Sequence, residues 1–221
     1  MPVKSHASYG VFLRLLEDEH RDLDDLLYPI EGSIRASFAC LDKAEETADD
    51  EYLRYVVDDE CDSIEMHLGL AFVVAQIGIT RIISHCRLLH DWQKHTTGSG
   101  LLLGIDGNKE KILSTASPRV GSTNHTGLEG INAFANYFKH RDEWPWDWTL
   151  LKGSASETAR VIQAFRAQPG CTGNLRQGFE SIFGENTPYY EVIRIGDTVR
   201  DWARALKLAY EQELRGVHRI A

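Results

Sequence analysis

The sequence predicts an all-α fold, an elongated up-and-down helical bundle folding as one domain over residues 1–221. Apolar residues recur at three- and four-residue steps through most of the chain, as in helices with one buried face. Two capping boxes, Thr126-x-x-Glu129 and Ser154-x-x-Glu157, stand at the heads of such stretches. No repeat, low-complexity tract or proline-rich linker divides the chain, and 221 residues with 43% apolar content can bury a sizeable core.

The first element runs from Ser8 to about Ala44 through Val11, Phe12, Leu15, Leu16, Leu23, Leu27, Ile30, Ile34, Phe38 and Leu41. Pro29 lies inside it and is expected to kink or split the helix, because it lacks an amide donor and crowds the preceding turn. Asp49 or Asp50 suits the N-cap of a second helix that continues to Leu89. Its middle is apolar on nearly every side, so burial among other helices is expected. A single rod of roughly 40 residues would measure about 60 Å; either the bundle is elongated or this helix breaks near residues 58–62.

Residues 93–125 change character, with Gly98, Gly100, Gly104, Gly107 and Gly121 among many Ser and Thr. They predict a long excursion, with a short strand over 101–105 as one option. The helix opened by Thr126 carries Leu128, Ile131, Phe134, Ala135 and Phe138 and is stopped by Pro145. The helix opened by Ser154 carries Ala159, Val161, Ile162 and Phe165, and a short one with Leu175, Phe179 and Ile182 follows Gly173. The last helix, after Pro188, places Val192, Ile195, Val199, Trp202, Leu206 and Ala209 at alternating steps. That spacing suits a bundle seam or a coiled-coil-like contact, and through it a homodimer.

Lys plus Arg number 24 against 33 Asp plus Glu, a net charge of −9 that excludes a broad basic field for nucleic acid or anionic lipid. Residues 1–66 hold 18 acids and 6 bases, whereas the remainder holds 15 and 18. A small local nucleic-acid site therefore stays open, and the acidic first third is a candidate surface for a basic partner. Cys40, Cys61, Cys86 and Cys171 form no CxxC pair and suggest no disulfide framework. The N-terminal segment Met1 to Gly10 lacks a signal-peptide core. The longest apolar stretch, 68–79, is too short to span a bilayer, which takes about 20 residues. A cytoplasmic protein with no membrane partner, cofactor or metal is expected.

The densest polar and aromatic cluster lies at 136–148. Asn136 and His140 share a helical face, with Phe134 and Phe138 directed to the core. His140 can move a proton near neutrality, and Arg141 can neutralise a pentacoordinate phosphate, so a metal-independent endoribonuclease with catalytic His140, Asn136 and Arg141 is one reading. Arg176, between helices, is an alternative source of the cation. A second reading makes Lys139, Asp142, Trp144, Trp146 and Arg176 a binding surface for RNA or a protein. A third treats Lys139, His140 and Arg141 as complements to the helix dipole and Trp144, Trp146 and Trp148 as a packing corner.

The acidic helix leading into LGLAFVVAQIGITRIIS (residues 68–84), followed by the segment of Asn136, Lys139 and His140, resembles the HEPN superfamily of helical prokaryotic proteins. The likeness covers about residues 8–216. The family's nuclease motif pairs an Arg and a following polar residue with a His; here the polar residue falls on Asn136, the His on His140, and the Arg position on Ala135. The resemblance implies a HEPN-like fold and an accessory module that binds RNA or a partner in a defence or toxin–antitoxin setting, rather than nuclease activity. Many members pair as dimers.

Glu17-x-x-His20, with Glu65 and His67 on another helix, has part of a di-iron pattern. A second Glu-x-x-His is missing, so a solvated acidic face accounts for it better. Asp58, Asp59, Glu60 and Asp62 read as surface or as an acidic partner stripe. Gly98-x-Gly100-x-x-x-Gly104 lacks the strand and helix of a nucleotide-binding turn. His85, His90 and His95 read as surface or capping residues, and Cys171 has no basic neighbour in sequence to activate it.

Overall fold

A computed structural model describes residues 22–47 and 49–217, together with Gly10, Val11, Arg14 and Asp18. Glu17-x-x-His20 and most of the first element before residue 22 lie outside the described residues. Seven helices follow among them: α1 (Leu23–Thr47), α2 (Asp50–Thr97), α3 (Lys109–Ser114), α4 (Gly127–His140), α5 (Ser154–Ala164), α6 (Asn174–Phe183) and α7 (Ile193–Val217). Short 3-10 turns occupy Arg141–Glu143 and Trp148–Leu150. The architecture is the predicted all-α, up-and-down arrangement. No strand occurs among the described residues; the option at 101–105 reduces to one antiparallel bridge between Leu102 and Ile105. Leu103 and Gly104, both at positive φ, make the intervening tight turn.

Helices α1 and α2 form a hairpin, with the Ser37 and Ser63 hydroxyls 3.1 Å apart across it. Pro29 does not split α1. It is exposed, so water can cover the carbonyl its missing N–H leaves free, and the Ser33 hydroxyl donates to the Pro29 carbonyl at 3.1 Å. Asp49 caps α2 by accepting from Tyr52 N at 2.8 Å. The helix then runs 48 residues without a break at 58–62, a length of about 72 Å at the usual rise. Elongation, not a break, is therefore how the long apolar pattern is accommodated. Its most apolar window has mean hydropathy 1.6, and 56% of that window is buried inside the bundle.

α2 ends at Gly98, whose left-handed φ of 77° lets its N–H reach Lys94 O, a conformation that glycine adopts without steric cost. The glycine-rich excursion thus starts at 98 rather than 93, and it contains α3, capped by Asn108. One of the histidines read as surface or capping residues ties it down. His90 is buried; its Nδ1–H donates to Gly100 O at 2.6 Å, which leaves Nε2 to accept from the Tyr210 hydroxyl of α7 at 3.0 Å, as the two distinct nitrogens of a neutral imidazole allow. Cys86 beside it is buried, and desolvation pushes its thiol up to about 12. Only this cysteine is wholly a core residue, since Cys40 is exposed and Cys61 and Cys171 are half-buried; all four are free.

α4 is the central helix, packed by α2, α5, α6 and α7. Its predicted capping box is formed in both directions. Glu129 N donates to Thr126 Oγ1 at 3.2 Å and Thr126 N to Glu129 Oε2 at 2.7 Å. Thr126→Ala is expected to lower stability by about 1 kcal/mol, read from a urea midpoint; an unchanged midpoint would show that water replaces the cap. The second predicted box is absent. Ser154 is already helical, Gly153 enters the turn at φ 58°, and Glu157 pairs with Arg160 at 2.7 Å. Of the uses that the α7 spacing suits, the bundle seam is formed: Ile195, Val199, Trp202 and Leu206 are buried, with α7 packed on α1, α2 and α4 of its own chain.

Candidate functional site

Asn136 and Lys139, predicted for a ligand, are engaged within the fold. Gln76 of α2 donates through Nε2 to Asn136 Oδ1 at 2.9 Å and to Asn132 at 3.1 Å, and its Oε1 accepts from Lys139 Nζ at 2.7 Å. This largely buried amide uses both its donor and acceptor sides, so the cluster fixes α4 against α2. Ala135 is fully buried. An arginine there could not reach a substrate without rebuilding the core.

After α4 the chain turns sharply at Arg141–Glu143. Trp144, Trp148 and Tyr137 pack edge to face with centroids 5.3 Å to 5.8 Å apart, the arrangement that ring quadrupoles favour. The packing corner expected of the tryptophans is therefore real for Trp144 and Trp148. Trp146 is different: it is 82% exposed. Its ring lies against Gly170, where a Cβ would stand 2.5 Å from it.

Trp144 separates two clefts. On one side His140 and Asn136 line a space of about 380 Å³ with Glu143, Ser154 and Thr158. The His140 side chain is 53% exposed and its Nδ1 lies 3.2 Å from Glu143 Oε1. No arginine lines this cleft. On the other side Arg141, Asp142, Trp146 and Trp148 line a space of about 470 Å³. The structure thus brings Asn136 and His140 together but assigns Arg141 elsewhere, because consecutive residues at a helix end point to different sides.

The floor of the larger cleft is Glu65, which sequence reasoning placed only in an incomplete metal pattern. It reaches from α2 to the N-terminus of α6, accepting from Leu175 N at 2.7 Å and Arg176 N at 3.1 Å. A carboxylate there satisfies two otherwise orphaned amides and meets the positive end of the helix dipole. Arg176 adds its charge, with Nε 3.5 Å from Glu65 Oε2 and a second nitrogen 3.5 Å from Cys61 Sγ. Arg176 therefore serves this buried pair rather than His140. Burial raises the Glu65 pKa above the usual carboxylate value, partly offset by the two amides and the nearby Arg176 and Arg141 charges. Burial likewise raises Tyr137, whose hydroxyl accepts from Asn174 Nδ2 at 3.0 Å.

Asn174 shapes the opposite wall. It is fully buried, accepts from Gln168 N and donates to Gln168 O and Cys171 O, folding the loop that carries Gly170. Asp62 and Met66 of α2 form the remaining rim. Tyr137 is a cleft residue that no local motif marked, and Asp62 and Glu65 enter the cleft in roles other than the acidic stripe and the metal pattern. Among the described residues, no group of three or more His, Cys, Asp or Glu could hold a metal ion. No protein-family model matches the chain, and no curated protein or solved structure shows a significant match to it.

Proposed function

We propose that this chain is a binding module of HEPN-like build that engages a protein partner at the tryptophan-rimmed cleft between α2 and the turn after α4, in a cytoplasmic defence or toxin–antitoxin setting. One observation carries the reading: an open cleft of about 470 Å³ whose rim holds Trp146 at 82% exposure, a volume within the size range of ligand sites. A solvated indole resting on Gly170, in a loop that Asn174 ties by hydrogen bonds, offers the kind of anchor that dominates protein interfaces. The ribonuclease reading lacks its geometry, since His140 and Arg141 open onto different clefts. RNA fits poorly as the occupant because Arg141 is the only cation in the lining, against Asp62 and Asp142, while Arg176 is held by Glu65.

Panning a random peptide library on the full chain tests this reading. Enriched sequences should bind the wild type and lose at least tenfold on Trp146→Ala, a change to an exposed side chain that leaves the core intact. Enrichment indifferent to Trp146 overturns the cleft as the site. In a separate reaction, RNA incubated with the protein in EDTA should stay uncut; cleavage that disappears in His140→Ala would reinstate the nuclease.

A further inference from the structure

Resting on that reading, we infer that the cleft recognises an arginine side chain of the partner, with its guanidinium laid on the indole surfaces and its charge met by Asp62 and Asp142. The lining carries three carboxylates and one guanidinium. Glu65 is fixed at the floor by the α6 amides and paired with Arg176, so the carboxylates left to meet a ligand are Asp62 and Asp142. Asp62 and Asp142, both exposed, form no ion pair among the described residues, so their oxygens are open to an incoming donor. The cleft's own cation does not fill that role: the Arg141 guanidinium sits 5.1 Å from the centre of the Phe138 ring.

The aromatic lining selects among cations. Indole faces attract a guanidinium that is planar and weakly hydrated, whereas a lysine ammonium must shed a tighter water shell. A guanidinium also presents paired N–H donors that match a carboxylate. Its three-carbon stem can lie along Met66 and Trp146 at the rim while the head reaches inward. Anionic groups are repelled by Asp62 and Asp142.

Titration of N-acetyl-arginine methylamide, followed by tryptophan fluorescence, tests the inference against its neutral citrulline isostere. The arginine compound should give a saturable change, and citrulline should bind at least tenfold more weakly. Combined Asp62→Asn and Asp142→Asn should weaken arginine tenfold or more, whereas Asp58→Asn with Asp59→Asn, equal in net charge but outside the cleft, should leave it unchanged. Equal binding of arginine and citrulline, absence of saturation, or equal loss in the two double variants overturns the inference. Library peptides that need Trp146 but contain no arginine would overturn it too, while leaving the binding module in place.

Discussion

Replacing Glu65 with alanine is expected to lower the stability of the fold by about 3–5 kcal/mol, the cost of removing the buried carboxylate from an ion pair and from two helix-end amides. The substitution strands two amides at the head of α6 and leaves Arg176 half-buried beside an empty space. Each unsatisfied buried donor costs about 1–3 kcal/mol by itself, so the total does not rest on the ion pair alone. Urea denaturation followed by circular dichroism measures it; a loss below about 1 kcal/mol would mean that water enters and serves the amides. Glu65→Gln separates charge from hydrogen bonding, because glutamine keeps one acceptor and turns an NH2 toward the other amide. The pH dependence has a definite sign. Burial raises the Glu65 pKa in the folded state, so between the unfolded value near 4.5 and the raised folded value the native protein holds more protons. Stability contributed by this group is present at acid pH and lost as pH rises through the folded pKa. The advantage of wild type over Glu65→Gln should therefore narrow from pH 4.5 upward; a widening would show that the amides and Arg176 outweigh burial.

Glu65 also shows where sequence reasoning stops. The helices were legible because their causes are local: the apolar steps of α4, the Asp49 cap and the reciprocal Thr126 and Glu129 bonds all lie within a few residues. The role of Glu65 depends on Leu175, 110 positions away, and no local pattern distinguishes it from Asp62 or Glu60. Gln76 is similar, an amide in an apolar run whose partners Asn136 and Lys139 lie 60 and 63 positions on. Within the polar cluster at 136–148, Asn136 and Lys139 serve that amide, while His140 and Arg141 open onto different clefts. Periodicity also could not tell whether the α7 seam serves its own bundle or a second copy, because both use the same spacing; within the chain α1, α2 and α4 pack against it. The second capping box failed for a smaller reason: Gly153 lets the chain enter α5 one residue earlier than a serine cap requires.

Gly178→Ala should be the most damaging change of a single methyl group, at about 3 kcal/mol, although alanine favours a helix over glycine by about 1 kcal/mol. A Cβ on Gly178 of α6 would stand 2.3 Å from the Phe134 ring. That ring has nowhere to retreat: it is fully buried, stacked on Phe72 with centroids 5.4 Å apart and edge-on to Phe165 at 6.2 Å. Gly69→Ala creates a closer nominal overlap, 2.1 Å to Phe138. Phe138 is only partly buried, so it can rotate toward solvent and the expected loss is smaller, about 1–2 kcal/mol. The order of the two losses, opposite to the order of the two distances, is what distinguishes confinement of the ring from simple proximity. Adding Phe134→Leu to Gly178→Ala should restore part of the loss, a coupling of at least about 1 kcal/mol between neighbours that strict additivity would refute. Because α4 is clasped between α2 at Gly69 and α6 at Gly178, these contacts also set the separation of the helices that carry Asp62, Glu65 and Arg141. Gly69→Ala, which substitutes no cleft residue but crowds α2 against α4, should therefore weaken ligands that require both Asp62 of α2 and Asp142 beyond α4, with a smaller effect on those that contact Trp146 alone.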